Sequence, residues 1–299
     1  MQTADKIIVT IIIITYNSSA YIYNCLDSLM KLMPGFGIEI IIIDNNSDDD
    51  TSKIIKSVPY QIKFIQNNVN KGFARACNQG IKTASGEYIF LLNPDTVILN
   101  DVISIFISYM EKQENLNVWC GGAQLYDDDK QPSKSYGKFP TIIDVLLEQS
   151  GVKGLLLKLP EVKKSIRQKQ IKHNKEVPFV MGSGMFIRRS TLKHIGFFNE
   201  KFFLNYEETE LSWRANRKGF KSIILPEAKI LHHSGKSFSN LHTYLSHLWL
   251  GQLIFFRLTK SIAEFKFIRF LHLTGSFFRW LIKSDQFYLE HIKKIKLIN

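Results

Sequence analysis

Apolar runs alternate with polar segments along the first third of the chain. Four runs rich in Ile, Val and Phe have the composition of buried strands, and they lie at residues 7–15, 38–44, 61–67 and 88–92. Between and after them, apolar residues recur at helical spacing, over residues 20–32, 52–57, 72–84 and 101–112. This alternation predicts parallel βαβ units, with helices on both faces of a central sheet.

Three polar clusters directly follow predicted strands. They read T-Y-N at residues 15–17, D-N-N at residues 44–46 and N-P-D at residues 93–95. In open sheets of this kind, ligands bind outside the carboxyl ends of the strands. Because those ends meet at one edge of a parallel sheet, we expect the three clusters to form one binding site.

Asp95 is the first candidate for chemistry in these clusters. A carboxylate close to a bound diphosphate is suited to hold Mg²⁺ or Mn²⁺, since hard cations take oxygen ligands. Asn-Pro-Asp is also good turn chemistry on its own. The residues alone leave both interpretations open.

Two further features suggest contacts with a nucleotide. The Asp44 carboxylate could accept a hydrogen bond from a ribose or base edge, or Asp44, Ser47 or Asp48 could cap the following helix. Gly72 and Gly80 flank Arg75, which favours close approach of the backbone to a phosphate. The spacing matches neither G-x-G-x-x-G nor the P-loop pattern, which argues against those two classes of site.

The second half of the chain is less regular. Glu207, Glu208 and Glu210 begin a predicted helix over residues 207–218, where they could serve catalysis or complement the helix dipole. His232 and His233 follow short predicted strands and could be metal ligands or turn residues. Residues 126–140 read as a loop, residues 148–176 as Lys-rich and helix-compatible, and residues 177–190 as strands around Gly-Ser-Gly.

The charge, the cysteine content and the lengths of the apolar runs limit the classes of protein to which this chain could belong. The 299 residues carry a net charge of +12, which favours a polyanionic partner such as nucleic acid, an anionic membrane or a phosphorylated substrate. Three widely spaced cysteines argue against a disulfide framework or zinc site and for a reducing compartment. The apolar run near residue 10 follows Asp5 and suits a strand better than a signal peptide. With no run of about 18 apolar residues, a membrane-spanning helix is not expected.

Seven motifs in this order resemble glycosyltransferase family 2. They are T-Y-N (15–17), D-N-N-S-x-D-x-T (44–51), N-x-G-F-A-x-A-x-N-x-G (70–80), L-L-N-P-D-T (91–96), G-S-G-M-F-I-R-R (182–189), Y-E-E-T-E-L-S-W-R (206–214) and H-H-S-G-K-S (232–237). The set spans roughly residues 7 to 240. The N-P-D motif and Phe139-Pro140 resemble the rhamnosyltransferase-like branch of the family.

The resemblance implies an α/β fold of the GT-A type. This fold has a Rossmann-like, mostly parallel central sheet flanked by helices, and here we expect it over residues 1–240. A basic, aromatic, helical C-terminal extension is expected over residues 241–299. The implied activity is inverting transfer of a sugar, with rhamnose a candidate, from a dTDP- or UDP-linked donor to a hydroxyl of a glycan or lipid-linked glycan. Such a reaction would serve cell-surface polysaccharide synthesis.

The resemblance also implies roles for individual residues. Asp95 matches the last acidic residue of the family's D-x-D motif, and with His232 it would bind Mg²⁺ or Mn²⁺. Glu208 matches the catalytic base, which is usually Asp in this family. Residues on the donor side are Thr15, Tyr16, Asn17, Asp44, Asn46, Gly72, Arg75, Asn78, Asn93 and Asp95. Residues on the acceptor side are Gly182, Ser183, Gly184, Glu207 and Trp213.

The sequence of residues 241–299 is compatible with two roles for the C-terminal helices. Their helices could pack on the catalytic domain or on a second subunit of a homodimer. Alternatively, they could bind the inner face of the plasma membrane, which would make a cytoplasmic enzyme peripheral. Two other functions compete with the enzyme: a catalytically silent nucleotide-sugar-binding protein, and a basic nucleic-acid-binding protein. The last has no RNP or C₂H₂ signature to support it, and we expect no nucleic-acid partner.

Overall fold

The computed structural model describes residues 7–32, 35, 37–156, 170–233 and 241–298, with the side chains of residues 153 and 156 excepted. These residues form two compact units. The sheet unit contains the described residues up to 138, residues 170–200 and residues 207–233. The helical unit contains residues 139–156, 201–206 and 241–298. The domain boundary that the sequence predicts between residues 240 and 241 stays a prediction, because residues 234–240 lie outside the described parts.

Eleven strands are described, numbered in chain order. They are β1 Val9–Thr15, β2 Ile38–Asp44, β3 Lys63–Gln66, β4 Tyr88–Leu92, β5 Thr96–Ile98, β6 Val118–Tyr126, β7 Tyr136–Gly137, β8 Lys175–Val177, β9 Phe179–Val180, β10 Gly184–Arg188 and β11 Lys221–His232. The helices are α1 Ile22–Lys31, α2 Thr51–Ser57, α3 Phe73–Thr83, α4 Val102–Met110, α5 Ile142–Gln149, α6 Val152–Leu156, α7 Leu192–Ile195, α8 Glu207–Arg217, α9 Leu241–Thr259, α10 Ile262–Lys283 and α11 Gln286–Lys296.

The main sheet has the order β3-β2-β1-β4-β10-β6-β11-β5, with β8 paired to β11. Strands β3, β2, β1 and β4 are mutually parallel, and β11 is parallel to β6. Strand β10 runs antiparallel to both β4 and β6. Strands β4 and β11 therefore share one direction, and their carboxyl ends lie at the same edge of the sheet as those of β1 and β2.

Burial explains why these strands lie at the centre. Every residue of β1 and of β4 is buried, as expected for parallel strands with helices on both faces. Helix α3 packs so closely that a Cβ at Gly80 would lie 2.6 Å from the Ile12 side chain. Gly80 thus serves packing of the helix on the sheet, rather than backbone approach to a phosphate.

The predicted mostly parallel α/β architecture is confirmed. The ends of β4 fall at the predicted residues, and α1, α2, α3 and α4 lie within one or two residues of the predicted ranges. Strand β6 was not predicted, because Gly121 and Gly122 interrupt its apolar pattern. The short strands predicted beyond residue 221 form one 12-residue strand, and Pro226 lies in its bulge, where no ladder N–H is needed.

A polar layer lies inside the helical unit, among buried apolar side chains such as Leu253, Phe256 and Ile268. His272 is completely buried, its Nε2 lies 2.9 Å from Gln252 Oε1, and its Nδ1 lies 3.2 Å from Gln149 Nε2. Because the amide nitrogen donates to Nδ1, the imidazole is neutral with its proton on Nε2. Burial, with charges on His291 and Arg279, lowers the pKa of His272 to about 3, which agrees with this assignment.

Arg279 completes this layer. Its guanidinium donates to Gln149 Oε1 at 2.8 Å and to the Glu148 carbonyl at 2.6 Å, and it stacks over Trp249 at 5.2 Å from the ring centre. Gly275 allows the close approach, since a Cβ there would lie 2.7 Å from Gln149 Oε1. Helix α10 therefore directs His272, Gly275 and Arg279 towards the interior of its own unit.

Candidate active site

The three predicted clusters do meet at one edge of the sheet unit. Thr15 pairs with Asp44 at the ends of β1 and β2, and the Thr15 hydroxyl donates to the Asp44 carboxylate at 2.8 Å. His232 pairs with Thr96, the residue after Asp95. The sheet topology thus brings together chain segments that lie up to about 200 residues apart.

Asp44 orders the loops at this edge. It is fully buried, and its carboxylate accepts hydrogen bonds from Thr15, from the Ser47 hydroxyl at 2.5 Å and from the Ser47 N–H at 3.1 Å. Ser47 in turn accepts from the Asn17 N–H at 2.9 Å. From the sequence, Ser47 is a candidate helix cap, and its link between Asn17 and Asp44 was not predicted.

Two asparagines adopt left-handed backbone conformations there, Asn17 with φ 51° and Asn46 with φ 68°. Asparagine tolerates this region better than other residues with a Cβ. Tyr16, next to Asn17, exposes half of its surface. The loops after β1 and β2 therefore turn sharply and leave an aromatic ring accessible beside the buried Asp44.

Asp95 and His232 form the centre of the site. Asp95 is 3% exposed, and its Oδ1 lies 3.3 Å from His232 Nε2. Two ligands at a right angle on an ion about 2.1 Å away are about 3.0 Å apart, so this spacing fits two ligands of one divalent cation. In the described residues, no cluster of three or more metal-ligating side chains occurs. The pair would therefore be a partial site, of the kind that phosphate oxygens and water complete.

His233 is held differently from its neighbour. Its backbone N–H donates to the Asp95 carbonyl at 2.9 Å, its Nδ1 contacts Asp128 Oδ1, and its ring lies 5.4 Å from that of Tyr21. The sequence did not distinguish His232 from His233 without the family resemblance. The structure distinguishes them, because His232 is the last residue of β11 and pairs with Thr96, whereas His233 follows the strand.

The Gly-Ser-Gly segment lies beside the Asn-Pro-Asp turn. The Asn93 N–H donates to the Ser183 carbonyl at 3.2 Å, and Gly184 pairs with Leu92. Gly184 faces the core, where a Cβ would lie 3.1 Å from Ile230. Ser183 is 5% exposed, and its hydroxyl has no hydrogen-bond partner among the described residues. These residues therefore adjoin the Asp95 turn.

Glu208 connects helix α8 to this segment, through a hydrogen bond with the Gly182 backbone. Burial raises the pKa of Glu208 above its usual range. The neighbouring Glu207 is 4% exposed, and burial followed by the charge of Glu208 raises its pKa well above the usual range. Glu210 instead pairs with Arg214 at 2.7 Å. Two carboxyl groups of raised pKa thus stand at the start of one helix, the arrangement expected of acid–base groups.

The backbone before α8 is strained. Asn205 and Tyr206 both have left-handed φ, 67° and 73°, and for a bulky residue this costs on the order of 1–3 kcal/mol. The motif Y-E-E gave no sign of this conformation. Trp213 lies further along the helix, where the Arg217 guanidinium stacks on its ring at 5.5 Å.

Gly72, Arg75 and Asn78 belong to α3 and its start. Gly72, with φ 83°, precedes the helix and accepts a hydrogen bond from the Asn45 side chain. Arg75 forms an exposed ion pair with Glu200 at 3.5 Å. Asn78 is buried, and its amide bonds both the N–H and the carbonyl of Phe198, at 3.0 and 2.9 Å. Asn78 thus fixes the segment around residue 198.

Solved structures share this architecture. GalNAc-T7, crystallised with UDP, GalNAc and Mn²⁺, matches 97% of this chain and 56% of its own with a TM-score of 0.61 at 14% identity. The mannosyltransferase PcManGT from Pyrobaculum calidifontis, in complex with GDP-Man and Mn²⁺, matches 98% of this chain and 77% of its own with a TM-score of 0.57 at 16% identity. The fold is therefore that of the GT-A class of glycosyltransferases.

The family follows from the sequence comparison. The model of glycosyl transferase family 2 matches residues 10–196, more than half of the chain. The chain belongs to glycosyl transferase family 2, as the seven motifs predicted. The rhamnosyltransferase-like branch is not confirmed by this match.

Curated relatives include bacterial proteins. The poly-beta-1,6-N-acetyl-D-glucosamine synthase of Staphylococcus epidermidis is 27% identical over 69% of this chain. An uncharacterized glycosyltransferase of Mycoplasma genitalium is 33% identical over 44% of it. The chain spans about 45% of the length of each of these two relatives.

The contacts of Asn78 predict a structural role that can be measured. Asn78→Ala leaves two buried backbone groups of Phe198 without partners, so we expect a loss of about 1–3 kcal/mol in the free energy of unfolding. Arg75→Ala, the matched control on the same helix, removes an exposed ion pair and should cost less than about 1 kcal/mol. Urea unfolding measures both. Equal stability of Asn78→Ala and the parent would show that the amide is kept for ligand binding alone.

The raised pKa of Glu207 predicts an unusual dependence of stability on pH. Above about pH 4.3 the unfolded state releases a proton that the folded state retains, so stability falls as pH rises towards the folded pKa. Glu207→Gln removes this loss. We expect a higher melting temperature than that of the parent near neutral pH, and no gain at low pH.

Thermal melts across pH test this expectation. Glu227→Gln, an exposed glutamate of β11, is the control and should follow the parent at every pH. A destabilised Glu207→Gln protein at neutral pH would mean that the folded state holds Glu207 ionised against a cationic partner.

Proposed function

We propose that this chain is an inverting, metal-dependent glycosyltransferase. Asp95 and His232 carry the proposal, because a buried carboxylate and an imidazole lie 3.3 Å apart at the edge of the sheet where β1 and β2 also end. Family membership and the fold agree with this arrangement.

Asp95 and His232 would hold Mg²⁺ or Mn²⁺ on the diphosphate of the donor. When bound, the ion would neutralise negative charge that develops on the departing diphosphate. Two of the structural relatives were crystallised with Mn²⁺, which supports a divalent cation. Asn93 would contact the ribose or a phosphate through a neutral amide, where many family members have Asp.

The loops after β1 and β2 would bind the nucleotide. Asp44 holds Thr15 and Ser47 in place, while Tyr16, Asn17 and Asn46 lie in the loops that they order. Gly72 and Arg75 at the start of α3 would complete the donor side. The donor we propose is dTDP-rhamnose or a UDP-sugar. UDP and GDP-Man in relatives support a nucleoside-diphosphate sugar in general.

Glu208 would act as the catalytic base. Its carboxylate takes the proton of an acceptor hydroxyl, the hydroxyl oxygen forms a bond to the anomeric carbon, and the bond from that carbon to the diphosphate breaks on the opposite side. The raised pKa suits a base that must bind a proton near neutral pH. Gly182, Ser183, Gly184, Glu207 and Trp213 would line the acceptor side.

The acceptor we propose is a glycan or lipid-linked glycan in cell-surface polysaccharide synthesis. The synthase from S. epidermidis supports this class of product. A lipid-linked acceptor would lie at the cytoplasmic face of the plasma membrane. Peripheral association with that face, alone or as a homodimer, is part of the proposal.

One observation favours a second function, that of a silent nucleotide-sugar-binding protein. Glu208 is one methylene longer than the Asp usual in the family, and its Oε2 is buried with no hydrogen-bond partner among the described residues. A base confined in this way could leave donor binding intact without turnover.

Replacement of Asp95 tests the metal site. Asp95→Ala should abolish transfer and remove the Mn²⁺ dependence of nucleoside-diphosphate binding, because one of two cation ligands is lost. Calorimetric titration of UDP and dTDP with and without Mn²⁺ measures this. Asp129→Ala, an exposed carboxylate of the loop after β6, is the control and should bind like the parent. Unchanged metal-dependent binding by Asp95→Ala would refute the assignment.

Replacement of Glu208 separates the two candidate functions. Glu208→Gln should bind donor as the parent does and lose about 10²–10⁴-fold in kcat, the usual contribution of a general base. Transfer assays with a panel of nucleotide sugars measure the parent, this variant and the control Glu227→Gln. Turnover of Glu208→Gln within a few-fold of an active parent would assign the base to Glu207 or Glu210. A parent that binds donor and transfers nothing would support the silent protein.

A further inference from the structure

Helix α10 exposes a continuous apolar face. Six large apolar side chains on it are between 44% and 81% exposed. They are Phe267, Phe270, Phe277, Phe278, Leu281 and Ile282, here called the Phe face. At about 100° per residue these positions fall on one side of the helix, and they extend over roughly 25 Å of its length.

The opposite side of α10 is buried, with Phe265 and Ile268 in its first turns and polar residues beyond them. His272, Gly275, Ser276 and Arg279 point into the helical unit, where His272 and Arg279 bond Gln149. An ordinary surface helix buries its apolar side and exposes its polar side. Helix α10 follows this rule at Phe265 and Ile268 and reverses it from His272 to its end, so water is a poor solvent for the outer surface there.

Basic residues accompany the Phe face. Residues 241–299 carry nine Lys and Arg against three Asp and Glu, a net charge of +6. Lys266 is exposed at the edge of the face. Lys283 is exposed where the helix ends, on the opposite side and close to Tyr288. Arg269 lies beyond Lys266 around the helix and donates to the Lys296 carbonyl at 3.2 Å. The occupant of this surface should therefore be both apolar and anionic.

We propose that the Phe face binds an anionic lipid bilayer, with α10 lying in the interface. No helix in the described parts of the chain is long and apolar enough to span a membrane, so the helix would rest at the depth of the headgroups and upper acyl chains. Phenylalanine, leucine and isoleucine enter the acyl boundary, and lysine and arginine meet lipid phosphates.

A second copy of the chain fits this surface less well. A stripe about 25 Å long and 10 Å wide offers roughly 250 Å², well below the about 800 Å² per partner of a stable interface. Two copies joined through it would also bring two regions of charge +6 together, which is unfavourable.

The proposal rests on the proposed function only for the location of the acceptor. It names the face that would bring the enzyme to a lipid-linked substrate. Lipid binding itself requires neither donor nor turnover, so it can be tested separately from catalysis.

Vesicle sedimentation of the full chain tests the proposal. We expect binding to phosphatidylcholine vesicles that contain phosphatidylglycerol, much weaker binding to phosphatidylcholine alone, and partial release at high salt. The triple variant Phe270→Ser, Phe278→Ser, Ile282→Ser should lose roughly tenfold or more of its partitioning. The control Tyr23→Ser, Leu99→Ser, Leu116→Ser removes three large apolar groups of the sheet unit that are also exposed, and it should bind like the parent.

Three further measurements make the outcomes distinct. Asp95→Ala should bind vesicles normally, which separates failure of catalysis from failure of docking. Thermal melts should show both triple variants folded, since all six positions are exposed. Absence of binding by the parent at low salt, or unchanged binding by the Phe-face variant, would overturn the proposal. A dimer in sedimentation equilibrium that the Phe-face variant dissociates would do so too, and would assign the face to self-association.

Discussion

The pairing of β1 with both β2 and β4 is the constraint on which the site depends. These strands are parallel and buried on both faces, so their side chains serve packing and offer little to a ligand. The side chains that could contact a ligand are therefore those at the ends of the strands. Strand β11 runs in the same direction as β1, β2 and β4, so its last residue, His232, lies at the same edge of the sheet. Asp95 and His232 meet because of strand direction, although 136 other residues separate them in the chain.

Local pattern predicted the parts of the sheet unit that follow from residue spacing. The run Tyr88–Leu92 and the turn after it were evident, because β-branched and aromatic residues end abruptly at Asn-Pro-Asp. Strand β6 was not evident, because its glycines allow close packing against residues that are far away in the sequence. A Cβ at Gly122, for example, would lie 2.4 Å from Val180. A single sequence contains no information on such approaches.

The candidate site residues were likewise predicted only in part. The motifs indicated which residues gather at the sheet edge, and the structure gives several of them a supporting task. Asp44 is fully buried and ties two loops together, and Asn78 bonds the backbone of Phe198. Their polar groups are used within the protein, so motif membership alone does not separate ligand contact from support. The left-handed Tyr206 escaped prediction because bulky residues so seldom adopt that conformation.

The polar layer inside the helical unit also determines how α10 can be oriented. Rotation of the helix by one residue would turn His272 and Arg279 away from Gln149 and bury apolar rings against unpaired amides, at a cost of about 1–3 kcal/mol for each group left unsatisfied. Rotation of the helix about its axis therefore cannot bury the phenylalanines of the Phe face without this cost. The hydrogen bonds of the helix keep the apolar surface directed outward whether or not a ligand covers it. In a preparation made without lipid or detergent, that surface would stay in contact with water and would be prone to aggregation.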